Sequence, residues 1–310
     1  MKKLLILIVL LFMIMTGCAS ESTETGSVTS GSEAQTEKET KKEETTEDVT
    51  AEKETTEEPK AETTIEQKII FEQDGIIITA TGLDFDGSFM GPEIKLLIEN
   101  NTEKNLCIQS RNVSVNGYMV STTMSAEVAS GKKTNDSLTI DRSSMEACNI
   151  EDIAYVDFLF HIYNNDSFDD SMDTEMIHID TSSVDSYVQS YDDSGEIIYE
   201  NEGIKIVSKG ISENSNFMGP SLILYVENNT ENAITIQSRD VSINGFMVDP
   251  IFSCEIMPGK RAIDSITFMS SDIEENQIES INEIELSFHI FKTDGWDTIQ
   301  DTEPITINIE

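Results

Sequence analysis

Two thirteen-residue stretches constrain this chain more than anything else in it. They are Ile108-Gln-Ser-Arg-Asn-Val-Ser-Val-Asn-Gly-Tyr-Met-Val120 and Ile236-Gln-Ser-Arg-Asp-Val-Ser-Ile-Asn-Gly-Phe-Met-Val248, 128 positions apart. In the first, Val113 and Val115 alternate with Ser114 and Asn116; in the second, Val241 and Ile243 alternate with Ser242 and Asn244. A period of two marks a strand with one buried face. Asn116-Gly117 and Asn244-Gly245 follow. Asn-Gly accepts the two positive φ angles of a type I′ turn, whose twist suits a hairpin. Each stretch is therefore expected to be the same β-hairpin.

The surroundings repeat at the same offset. Residues 69–182 align on 197–310 without a gap, with about 49 identities in 114 positions. Two copies of that length mean a duplicated domain rather than a solenoid. Turn signals recur at Gln73-Asp74-Gly75 and Asn201-Glu202-Gly203, and chain breaks at Asn100-Asn101-Thr102 and Asn228-Asn229-Thr230. Val156, Phe158, Phe160 and Ile162, with Ile284, Leu286, Phe288 and Ile290, give a clear alternating strand. One short helix per copy is expected where Ser143…Glu146 and Ser271…Glu274 fit a capping box. About eight short strands and little helix favour an all-β fold: two tandem antiparallel β-sandwiches, at 67–182 and 196–310, joined by an exposed linker at 183–195. Domains of this size bury a core without disulfides.

The N-terminus reads differently. Lys2-Lys3 precede an apolar run from Leu4 to Met15, then Thr16-Gly17-Cys18. The run is too short for a membrane-spanning helix of roughly 20 residues and has the layout of a secretory signal. Its end resembles the lipobox of bacterial lipoproteins, with Met15 where Leu is usual. The resemblance implies cleavage after residue 17, diacylglyceryl attachment to Cys18 with further acylation of the new amine, and residence on the extracytoplasmic face of the cell membrane. Residues 18–66 are mostly Glu, Thr, Ser and Lys, a composition expected to stay disordered as a tether. Its end-to-end distance would be roughly 40 Å.

The sandwich domains in turn resemble the immunoglobulin-like domains of small, uncharacterised Gram-positive lipoproteins. The strand order, the Asn-Asn-Thr break, the Asn-Gly hairpin and the late Phe-His-Ile strand carry that resemblance, while the Cys-Trp-Cys pattern of antibody domains is absent. It implies binding or scaffolding outside the cell and supplies no active-site residues.

Formal net charge is −39. Nucleic acid is an unsuitable partner, because phosphate contacts need clustered Lys and Arg. Acidic loops offer calcium candidates: Asp166, Asp169 and Asp173 recur as Asp294, Asp297 and Asp301, although their spacing does not match an EF-hand. No catalytic motif, cofactor motif or zinc spacing occurs. Cys254 falls on an inward position, and Cys107 and Cys148 could pair only if their Cα atoms lie within about 7 Å. His161 and His289 fall on outward strand positions. Arg111 and Arg239, rare cations in acidic domains, are expected to form internal ion pairs.

The last repeated features are aromatic and Met residues beside loops: Phe89, Met90, Tyr118 and Met119, with Phe217, Met218, Phe246 and Met247. Exposed, they would form a ligand patch; buried, they would plug the ends of the sandwiches. The leading expectation is a lipid-anchored binding or scaffolding protein without enzymatic activity, its ligand a protein or the cell wall. A calcium-responsive adhesion or sensing module and a carboxylate-dependent hydrolase stand as alternatives.

Overall fold

A computed structural model describes residues 62–309 apart from positions 169 and 217. The signal, Cys18 and most of the tether lie outside the described residues, as do Asp169, Phe217 and residue 310.

The first domain comprises β1 (Lys68–Gln73), β2 (Ile76–Ser88), β3 (Gly91–Asn100), β4 (Leu106–Val115), β5 (Tyr118–Met119), β6 (Thr122–Thr123), β7 (Ser125–Val128), β8 (Lys132–Ile140), α1 (Arg142–Ala147), β9 (Tyr155–Asn164), β10 (Met172–Asp173) and β11 (Ile177–Asp180). The second comprises β12 (Glu196–Asn201), β13 (Ile204–Asn216), β14 (Gly219–Asn228), β15 (Ile234–Ile243), β16 (Phe246–Met247), β17 (Ser253–Ile256), β18 (Lys260–Thr267), α2 (Ser270–Glu275), β19 (Glu283–Lys292), β20 (Thr298–Asp301) and β21 (Ile305–Asn308). In each domain one sheet runs β1-β2-β3-β8 or β12-β13-β14-β18. The facing sheet is built on β4 paired with β7 and β9, or on β15 paired with β17 and β19. In the first domain the chain crosses between sheets from β3 to β4, from β5 to β6 (which pairs with β8), from β6 to β7, from β7 to β8 and from β8 to β9. This is the immunoglobulin-like sandwich, with β1 or β12 added at one edge.

The alternating residues fill the space between the sheets. Ile78, Ile98, Ile108, Ala126, Leu138, Phe158 and Phe160 are fully buried in the first core, and Ile206, Val226, Ile236, Ile256, Ile266 and Ile290 in the second. Asp74, Gly75, Glu202 and Gly203 adopt positive φ of 48–87°. Asn116, Gly117, Asn244 and Gly245 adopt 49–86°, the pair of angles a type I′ turn requires.

The Asn-Asn-Thr break has a side-chain cause. Asn100 is wholly buried; its Nδ2 donates to the carbonyls of Lys104 and Val128, and its Oδ1 accepts from the Thr102 amide and hydroxyl. Asn228 repeats every one of these bonds around Thr230. Paired in this way, the amide ties a crossing loop to β7 or β17 without leaving a buried polar group unmet.

Three expectations need correction. The helices do not start at the Ser of the capping box. Asp141 caps α1, accepting from the Ser144 amide at 2.9 Å, and Met269 occupies the equivalent place with no side-chain bond. An acidic or hydroxyl residue two positions earlier competes for the role, and only the first copy has one. The linker is not a free connection either. Ser183 is buried, and Tyr187, Gln189 and Tyr191 bond back to the first domain. The end of the expected tether also packs: Thr63 is buried and its Oγ1 donates to Asp152 at 2.6 Å.

Candidate functional site

The duplicated hairpin has two fates. In the first domain it is the joint between the sandwiches. Tyr118 is 1% exposed and packs among Val207, Tyr225 and Ile263 of the second domain. These three project from the outer face of the β13-β14-β18 sheet, in one cross-strand row. Met119 reaches the second domain's own core. The Arg261 amide donates to the Gly117 carbonyl at 2.9 Å, a parallel bridge that joins a sheet of each domain.

Polar groups close the rim. The Tyr191 hydroxyl donates to the Asn116 carbonyl at 2.8 Å, and its ring lies 5.3 Å from that of Tyr118. The Arg261 guanidinium stacks over the Tyr191 ring at 4.0 Å and pairs with Glu227 at 2.8 Å. Lys260 pairs with Asp157, which also meets His178 Nδ1 at 2.5 Å; His178 Nε2 meets Asp180 at 2.9 Å. Burial pushes the phenols of Tyr155 and Tyr225 up to about 12 and the Cys148 thiol up to about 11.

The Asn of each hairpin does more than shape the turn. Asn116 Oδ1 accepts from the amides of Ala154 and Tyr155, and its Nδ2 donates to the Asp152 carbonyl. Asn244 makes the same three bonds to Asn282, Glu283 and Ser280. Both tips carry these same three bonds, yet only one is covered. Phe246 is 48% exposed and Met247 64%. Ile251, just beyond, is also exposed; the repeat does not mark it, because its twin is Thr123.

The expected patch is thus divided. Tyr118 and Met119 belong to the joint, whereas Phe246 and Met247 are free. Phe89 (92% exposed) and Met90 sit on the β2–β3 turn, and Met218 is half-buried on the matching turn.

Some of the acidic-loop carboxylates are engaged elsewhere. Asp166 accepts from Asn105 Nδ2 at 3.0 Å, Asp173 pairs with His161 at 2.6 Å, and Asp301 with His289 at 2.6 Å. The Asp297 carbonyl accepts the Lys292 amide, and Asp294 stands beside Glu255, helping to raise that carboxyl after burial. Among the described residues no three His, Cys, Asp or Glu are placed to hold a metal. Cys107 and Cys148 are both buried and free. Arg111 reaches Asp173 at 3.9 Å, and Arg239 donates to Gln237 rather than to a carboxylate.

No family model matches the chain. No curated protein matches it either. Among solved structures, the crystal structure of the YadV chaperone is similar to it at 12% identity and a TM-score of 0.23, covering 76% of this chain and 100% of that one. So low a TM-score supports no inference about arrangement or activity.

The rim predicts a pH optimum for the joint. Burial alone would raise the Asp157 carboxyl, but hydrogen bonds from Lys260 and His178 outweigh it and hold the group below its usual range. A depressed carboxyl contributes stability that is present above about pH 3.9 and is lost as pH falls through the folded value. Burial alone would lower His178, but its bonds to Asp157 and Asp180 prevail and raise it. That contribution is present below about pH 6.5 and is lost as pH rises through the folded value. The joint is therefore tightest between about pH 4 and 6.5. Melting temperature scanned against pH should fall on the alkaline side of that window, and His178→Ala should flatten that limb. An unchanged limb in the variant would remove His178 from the joint.

Proposed function

We propose that the protein is a lipid-anchored, extracytoplasmic binding or scaffolding protein that presents the end of its second domain to a protein or cell-wall ligand. One observation carries the reading. The same hairpin occurs twice, and the copy that the chain does not use internally leaves Phe246 and Met247 uncovered. A rigid, bonded turn adds little backbone ordering cost on binding, and aromatic and Met side chains are enriched at interfaces. The signal and Thr16-Gly17-Cys18 support the anchor, and two or three acyl chains hold a protein stably where one does not. The domains' strong negative charge would keep them off an anionic surface, leaving the hairpin end free for a partner.

Cell fractionation tests the anchor. Wild-type protein is expected in the membrane fraction and labelled by radioactive palmitate. Cys18→Ser is expected unlabelled and without stable lipid attachment. A Cys18→Ser variant that stays lipid-labelled would overturn the anchor.

A further inference from the structure

The internal joint has an unused counterpart at each end of the molecule. On the second domain, the row Ile197–Val207–Tyr225–Ile263 crosses four strands in register; Val207, Tyr225 and Ile263 receive the first hairpin, while Ile197 stays exposed at its margin. On the first domain, the equivalent row is Ile69–Thr79–Leu97–Asn135, in the same register on the same face. Thr79 and Leu97 are only partly covered, where their twins Val207 and Tyr225 are buried; Ile69 is exposed, as its twin Ile197 is. The charged frame recurs too. Glu227 and Arg261 flank the occupied row, and Glu99 and Lys133 flank the open one, paired at 2.7 Å. Lys260, which meets Asp157 across the joint, has Lys132 as its twin. Asp157 has Glu285 as its twin, exposed beside the free hairpin.

We infer that the free Phe246–Met247 end of one copy docks on the Ile69–Thr79–Leu97 face of a second copy, with Glu285 meeting Lys132, as the first hairpin docks within the chain. The contact is heterologous, head to tail, so successive copies form either a closed ring or an open row. A symmetric dimer through two Phe246 ends would bring Glu283 and Glu285 of each copy together, and like charges oppose it. The contact is weaker than the internal joint. Asn135 replaces Ile263, Glu283 replaces Tyr155, and nothing stands for Tyr191. Association is therefore reversible and depends on concentration, and a shared membrane raises that concentration. At physiological ionic strength the bulk acidic repulsion is screened beyond about 8 Å, while contact pairs are not.

The inference names the partner of the hairpin end and rests on its reading as a binding surface. Cross-linking of full-length, membrane-attached protein tests it. One copy carries Phe246→Cys and a differently tagged copy Leu97→Cys, each first shown to melt like wild type. Oxidation is expected to give a mixed disulfide several-fold above that of either variant alone. Glu285→Lys should cut the yield, and Lys132→Glu in the other copy should restore it. No mixed disulfide, or a Phe246→Cys homodimer in equal yield, would overturn the second copy as partner. Oxidation of Met247 separates the two readings. If cross-linking fails while Met247 is protected on cells relative to dilute purified protein, the surface binds something else. If Met247 reacts equally in both, the surface itself is not a binding site.

Discussion

Tyr118→Ala is expected to destabilise the protein by about 3–5 kcal/mol, the range for deleting a fully buried aromatic side chain. The equivalent Phe246→Ala should cost no more than about 1 kcal/mol, as a half-exposed position does. The difference does not come from the hairpins themselves, whose turns share backbone angles and side-chain bonds. It comes from what covers them. Tyr118 sits against Val207, Tyr225 and Ile263, and its hydroxyl lies near the Asp192 backbone. Phe246 has nothing comparable over its outer half. Truncating Tyr118 opens a cavity between two rigid sheets, which relax little, and strips the Arg261–Tyr191 stack of its floor. Urea denaturation of both variants checks the contrast. Equal losses would mean that the first hairpin does not carry the joint.

Gly91→Ala and Gly219→Ala are expected to exceed about 4 kcal/mol each and to prevent their domains from folding normally. A Cβ on Gly91 would lie 2.0 Å from the Ile140 carbonyl oxygen, and one on Gly219 would lie 2.0 Å from that of Phe268. Both obstacles are backbone, and both glycines hold positive φ, 144° and 138°. The close approach is built in: the Arg142 amide donates to the Met90 carbonyl at 2.7 Å, as the Ser270 amide does to Met218. Gly131→Ala is the control. It shares a positive φ but meets open space, so only the left-handed strain of about 1–2 kcal/mol applies. Far-UV circular dichroism and melting of the three variants separate the cases.

These glycines also show why the Phe-Met-Gly-Pro motif is repeated. In the sequence its Phe and Met read either as an exposed patch or as a plug for the end of the sandwich, and nothing local marks the Gly. In the fold the Gly is fixed by packing against the end of β8 or β18. Phe89 merely rides on the tip, exposed. Strand order and inward faces were legible because period-two alternation and Asn-Gly turns are local signals. The crossing loops were legible as breaks, but the buried amides of Asn100 and Asn228 that cause them were not, since a side chain's bonds to distant carbonyls leave no periodicity.

The joint was the least legible part. Tyr118 and Phe246 are equivalent in sequence, and nothing near either says which is covered. The difference arises from Val207 and Ile263, polar in the first copy as Thr79 and Asn135, and from Tyr225, which is Leu97 there. Outward apolar residues on one sheet only, compared between the copies, were the available signal. The linker gave another in Tyr187 and Tyr191, aromatics in a stretch otherwise rich in Ser and Asp.

The most direct test of the two fates is hydroxyl-radical footprinting of dilute protein, read by mass spectrometry at the paired positions. Tyr118 is 1% exposed and Phe246 48%, so Phe246 and Met247 are expected to be modified rapidly while Tyr118 stays protected. Equal modification of Tyr118 and Phe246 would contradict a hairpin that is buried as a joint in one domain and left free in the other.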